Sequence, residues 1–193
     1  MFLRGLFFAT KEGAAHISEE NKTIPKDQKY FDSYRDLIPE DIRARDGLIK
    51  SYDHIMKNGN YAEQCEAAKR FMIWDTSIAF YNIENALPHL ADIKENPHDE
   101  IPITKIFMHY AIHEFRDEFK SELLNVDAFR HIPIDLIHGE DDRICPVSNT
   151  FDFCAAYPHA KAHIIKGAGH SGMDAGISEA TAQVSEAMRL ILR

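Results

Sequence analysis

Asp142 and His170 are the residues whose types and surroundings could do chemistry. Each lies in a loop that opens on glycine: Gly139-Glu-Asp-Asp142-Arg-Ile-Cys-Pro146 and Gly167-Ala-Gly-His170-Ser171-Gly172. A carboxylate that reaches an imidazole sets its tautomer and stabilises the imidazolium. The histidine can then act as general base and afterwards as general acid. Taken singly, Asp142 also suits a cap on the following helix, and His170 an ordinary surface position. The catalytic reading requires both loops at one edge of a sheet. The flanking residues supply that edge. Ile134 to His138 predicts a strand running into Gly139, and Ala162 to Ile165 a second running into Gly167. A helix is expected after Pro146, with Val147, Phe151, Cys154 and Tyr157 on one face. A closing helix follows through Ile177, Ala180, Val184, Met188 and Ile191. Strand, loop, helix repeated twice is the pattern of a parallel sheet, whose functional loops gather beyond the carboxyl ends of its strands.

Upstream the texture is different. Leu3 to Phe8 predicts a short buried strand. It is too short an apolar stretch for a signal peptide, and no small-residue cleavage site follows. Residues 11–36, with Pro25, read as a connection containing one helical turn. Pro39 suits the first turn of a helix carrying Ile42, Arg45, Ile49, Tyr52 and Met56 at three- and four-residue steps, which Gly59 stops. Asn60 with Glu63 forms a capping-box variant before a helix with Tyr61, Cys65, Ala68 and Met72 on one face. Pro88, Pro97 and Pro102 mark 86–103 as loop, and 104–124 as helix again. The expected organisation is a first core strand over 1–10, a helical region over 11–130 and a βαβα part over 131–193.

The 193 residues carry 22 Lys and Arg against 31 Asp and Glu, a formal charge of −9. So acidic a chain is a poor partner for phosphate, and nucleic-acid binding is not expected. No apolar run approaches the ~20 residues that span a bilayer. Cys65, Cys145 and Cys154 are odd in number and lack metal spacing, which points to reduced thiols and a cytoplasmic setting. His109 and His113 have the four-residue spacing of a two-histidine metal face, but no third ligand is evident and neither a metal nor another cofactor is expected.

An ordered set of segments resembles the proline iminopeptidase family of the α/β-hydrolase fold. They are Leu3-Arg-Gly-Leu-Phe, Ile38-Pro-Glu, Ala67-Ala-Lys-Arg-Phe-Met-Ile-Trp74-Asp75-Thr-Ser, Arg130-His-Ile-Pro133, His138-Gly-Glu-Asp-Asp142-Arg-Ile-Cys-Pro146 and Gly167-Ala-Gly-His170-Ser. The resemblance implies a partial α/β-hydrolase, with a few-stranded parallel sheet and a helical cap insertion. It implies that Asp142 is the triad acid and His170 the triad base of a serine aminopeptidase releasing N-terminal proline from peptides. In that family a His-Gly-Gly-Pro oxyanion loop and a Gly-x-Ser-x-Gly nucleophile elbow precede the Leu-Arg-Gly strand. Neither motif occurs in residues 1–193. Gly169-His-Ser171-Gly-Met173 imitates the elbow but follows the acid, whereas the fold's order is serine, acid, histidine.

The family holds the substrate amine with acidic cap residues, because a buried ammonium must be paired. Asp75, after Trp74, stands where the family has glutamate. Ile112-His113-Glu114-Phe115 matches the second site with His113 in place and Glu114 one position, about 100° of helix, away. Tyr81-Asn-Ile83-Glu84-Asn85 is a rival match. Asp75, Glu84 and Glu114 could equally be solvated helix charges.

Three readings follow. In the first, a separate N-terminal half supplies the serine, and the chain alone is inactive. In the second, it is a non-catalytic remnant or interaction module that self-associates through an exposed sheet edge. In the third, the hydrolase acts on another amide or an ester.

Overall fold

The structure is a computed structural model that describes residues 1–18 and 28–191. They cluster into two compact units. A helical unit comprises Ala9–Ile78 and Ile83–Arg116, and a sheet unit comprises Met1–Phe8, Ala79–Asn82 and Asp117–Arg193. Residues 79–82 and 117–130 thus cluster with the sheet, not with the helices as the sequence-based bounds have them.

The helical unit runs α1 (Lys11–Ser18), α2 (Gln28–Arg35), α3 (Glu40–Asn58), α4 (Tyr61–Ala79), α5 (Ile83–Glu95), a 3-10 turn (Pro97–Glu100) and α6 (Ile101–His113). Residues 11–36 therefore hold two helices where one turn was expected; 19–27 of that stretch lie outside the described residues. Pro39 precedes α3, which kinks at Gly47, whose φ of 76° few side chains tolerate. The Asn60–Glu63 capping box forms: Glu63 N–H donates to Asn60 Oδ1 at 3.1 Å, and Asn60 N–H to Glu63 Oε2 at 2.7 Å. The expected face of α4 is met in part: Ala68 is buried and Cys65 and Met72 are half-buried. Tyr61 is exposed, while Ala67, Phe71, Trp74 and Ile78 are buried.

Residues 86–103 are not loop. Ala86, Leu90 and Ile93 recur at helical spacing and are buried, and that apolar face outweighs Pro88 inside α5. Pro102 sits in the first turn of α6, where a missing N–H costs nothing. The expected helix over 104–124 is broken: α6 ends at His113, and the sheet unit's α7 (Glu118–Leu123) begins after a gap. Aromatic side chains fill this unit's core. Phe31 meets Trp74 edge-on at 5.1 Å, and Tyr34 meets Tyr52 at 4.6 Å. Trp74 Nε1–H donates to Ile17 O at 2.6 Å, so its one polar atom is satisfied.

The sheet unit holds β1 (Phe2–Arg4), β2 (Asp135–Gly139) and β3 (Lys161–Ile165), all parallel in the order β1-β2-β3. The first strand is shorter than the expected 3–8, because Gly5 leaves extended geometry with φ +53°. Strand periodicity sends alternate β2 side chains to opposite faces. On one face Ile134 and Leu136 pack with Phe153 and Tyr157, from and just after α8 (Ser148–Ala156). On the other, Ile137 packs with Ile177 and Val184 of α9 (Ala175–Ile191). Of the expected α8 face, Tyr157 is buried and Cys154 packs partly buried against the same cluster, but Phe151 is exposed, and Thr150 and Phe153, which were not expected, point inward. None of the three cysteines is in a disulfide.

Ile137 is fully buried at the centre of the sheet. Ile137→Ala should lower unfolding free energy by about 2–5 kcal/mol in urea titrations, whereas Ile106→Ala, at a half-exposed position, should change it by under about 0.5 kcal/mol.

Candidate active site

Two loops at the carboxyl edge of the sheet carry the site. The loop after β2 is anchored by Glu140 N–H to Ile165 O at 2.9 Å and Asp141 N–H to Ala168 O at 3.1 Å. It passes so close to the second loop that a Cβ on Gly139 would lie 2.2 Å from Gly169 O; only glycine fits there. Asp142 follows, with its side chain fully buried. Its Oδ1 accepts the backbone N–H of Ile144 at 2.9 Å and of Cys145 at 2.7 Å. Its Oδ2 lies 2.9 Å from His170 Nδ1 and 3.2 Å from His138 Nε2. Asp142 therefore does both things its sequence allowed: one oxygen organises the turn before α8, and the other meets the imidazole. Burial acts to raise the carboxyl pKa. Hydrogen bonds from His138 and His170, attraction to His170 and the Cys145 N–H outweigh it and hold the pKa at about 2.

His170 is held by its backbone as well as by Asp142. Arg4 Nη1–H donates to His170 O at 2.5 Å. Asp174, buried, accepts from Gly169 N–H at 2.7 Å and from Tyr81 N–H at 3.1 Å, and Ser171 N–H donates to Ala79 O at 2.8 Å. Segment 79–82 thus braces the histidine loop. Gly5 faces the imidazole: a Cβ there would lie 2.9 Å from His170 Cε1 and 3.1 Å from Nδ1. With Nδ1 committed to Asp142, Nε2 is the atom left to accept a proton. Ser171 Oγ instead accepts Met173 N–H at 3.1 Å, within its own loop.

The structure thus brings Asp142 and His170 together. The tentative amine-binding positions all fall in the helical unit. Asp75 is half-buried on α4, beside the anchored Trp74. His113 is exposed at the end of α6, and Glu114, just past it, is exposed as well. Lys57 Nζ–H donates to His113 Nε2 at 3.2 Å and pairs with Asp53 at 2.7 Å. His109 and His113 are near neighbours, their rings 4.8 Å apart. Among the described residues no three His, Cys, Asp or Glu side chains converge as a metal site. No helix among them is long and apolar enough to cross a membrane.

Sequence reasoning missed Gly5, Asp174 and segment 79–82 as parts of this site. Gly5 lay within a quoted segment, but its apposition to His170 needs the β1–β2 pairing. Tyr81 and Asn82 entered only as part of a rival amine-binding match, and segment 79–82 reaches the loop only through the fold.

Comparison with known proteins gives the site a context. A proline iminopeptidase of Arabidopsis thaliana is 28% identical over 203 aligned positions, covering 100% of this chain and 50% of its own length. One from Xylella fastidiosa strain Temecula1 is 31% identical, covering 90% of this chain and 54% of its own. The chain is proline iminopeptidase-like. This proline iminopeptidase-like chain spans about half the length of the curated relatives it matches. No family model matches it. The solved bromoperoxidase of Bacillus anthracis aligns over 76% of this chain and 49% of its own at 21% identity, with a TM-score of 0.46.

Two outcomes follow from the geometry. Gly5→Ala combines an unfavourable φ with a Cβ against the imidazole. It should destabilise the fold by about 1–3 kcal/mol and displace the His170 ring, seen as changed ring resonances. The folded carboxyl pKa of Asp142 lies below its ordinary 3.8, so its stabilisation is complete above about pH 4 and is lost as pH falls through about 2. In urea titrations across that window, Asp142→Asn should remove about 2 kcal/mol of the acid-dependent loss of stability.

Proposed function

We propose that this chain carries the acid and base of a serine-type amide hydrolase of the proline iminopeptidase kind. The 2.9 Å contact between His170 Nδ1 and a fully buried Asp142 is the observation that carries this reading. In it, Asp142 holds the Nδ1–H tautomer and stabilises the imidazolium. His170 Nε2 takes the proton of a serine hydroxyl as the oxygen attacks the scissile carbonyl. It then returns that proton to the departing amine.

The serine and the oxyanion donors come from polypeptide outside residues 1–193, and the chain alone is inactive. β1, an edge strand among the described residues, offers the backbone against which such a segment would pair. The same edge would serve self-association. Three cysteines without a disulfide fit a cytoplasmic setting.

Similarity to the relatives supports a peptide with N-terminal proline as substrate. Of the three positions, Asp75 keeps the acidic charge at the position matching the family's glutamate. His113 is a poor choice, since Lys57 brings a cation to its Nε2 that would repel a substrate ammonium. That contact favours a second reading, in which the substrate is another amide or an ester.

The test is to co-express the chain with the serine-bearing N-terminal half of a full-length relative, and to assay a proline anilide beside a short ester. Hydrolysis should need both halves and fall by about a thousandfold or more in His170→Ala. Undiminished hydrolysis in that variant would sink the reading. Preference for the ester would favour the second substrate class, and stable association without turnover a non-catalytic role.

A further inference from the structure

His138 is a buried titratable group that the acid–base reading leaves unused. It lies on β2, on the face covered by α8, and its side chain is fully buried. Nδ1 is 2.7 Å from Thr150 Oγ1 on α8. Nε2 is 2.8 Å from the backbone oxygen of Cys145 and 3.2 Å from Asp142 Oδ2. A carbonyl and an ionised carboxylate only accept hydrogen bonds, so Nε2 must carry a proton. A hydroxyl can donate, so Thr150 can leave Nδ1 as the acceptor. The surroundings therefore select one tautomer.

We propose that His138 is a positioning residue for the Asp142–His170 pair. Its Nε2–H, held in that tautomer by Thr150, bridges the Cys145 carbonyl and Asp142 Oδ2 and keeps the carboxylate aimed at His170 and ionised. A histidine that only filled the core would be satisfied by Thr150 and Cys145 alone. The approach to Oδ2 is the extra feature. It gives that oxygen a second donor besides His170, as Oδ1 has two from the backbone. The titratable groups facing this cluster are Asp142 and Cys145 from the loop after β2 and His170 from the loop after β3.

The functional consequence rests on reading Asp142 and His170 as acid and base, but the test reads the chain's own atoms. In chain labelled with nitrogen-15 histidine, the His138 ring should show a protonated Nε2 and an unprotonated Nδ1 at neutral pH. A protonated Nδ1 would overturn the proposal. Carbon-13 titration of the Asp142 carboxyl gives the second readout. His138→Leu should raise its midpoint by about one pH unit, whereas His138→Gln, whose amide can still donate, should leave it near the native value. An unmoved midpoint in folded His138→Leu would overturn the proposal. If that variant does not fold, His138→Met, an unbranched side chain of similar length that donates no hydrogen bond, should raise the midpoint in the same way, and an unmoved midpoint there is the overturning result. Failure here leaves the acid–base reading standing, because hydrolysis by His170→Ala tests that reading separately.

Discussion

One buried carboxylate governs the carboxyl edge of the sheet. Taking Asp142 out of water is costly, and the ionised form survives only because N–H groups surround it. Two come from the backbone of its own turn, and imidazoles approach from β2 and from the loop after β3. The turn before α8, the buried histidine on β2 and the half-buried histidine after β3 are thus tied to a single charge. Losing either donor set would leave an uncompensated anion in the interior.

Around that charge the chain is arranged for close approach. Gly139 lets β2 pass under the histidine loop, and Gly5 leaves room for the imidazole. Arg4 and Asp174 hold the loop by its backbone, and segment 79–82 braces it from a distant part of the sequence. His170 consequently keeps a defined orientation although its side chain is a quarter exposed. The imidazole is thus both reachable and fixed, as the proposed base role requires.

The helical unit shows where local signals mislead. Three prolines suggested loop over 86–103, yet two of the three lie inside helices. Pro102 falls in a first turn, where its missing N–H is harmless, and Pro88 is tolerated because Ala86, Leu90 and Ile93 bury a continuous face. One residue on each of the expected faces of α4 and α8 was misassigned for a related reason. Tyr61 and Phe151 are apolar enough to suggest burial, but large apolar residues are common on surfaces. Which side of a helix is covered depends on what packs against it.

The sequence by itself determined the parallel strand-loop-helix pattern, the capping box at Asn60 and the two loops carrying Asp142 and His170. These are local matters: periodicity, turn residues and short-range hydrogen bonds encode them directly. Only the tertiary structure decided that Asp142 divides its oxygens between a turn and an imidazole. The same holds for His138 Nε2 lying between two acceptors, and for Gly5 and residues 79–82 belonging to the site. Those contacts join positions far apart in the chain. Strand pairing and long-range backbone hydrogen bonds bring them together, and neither spacing nor residue type carries that information.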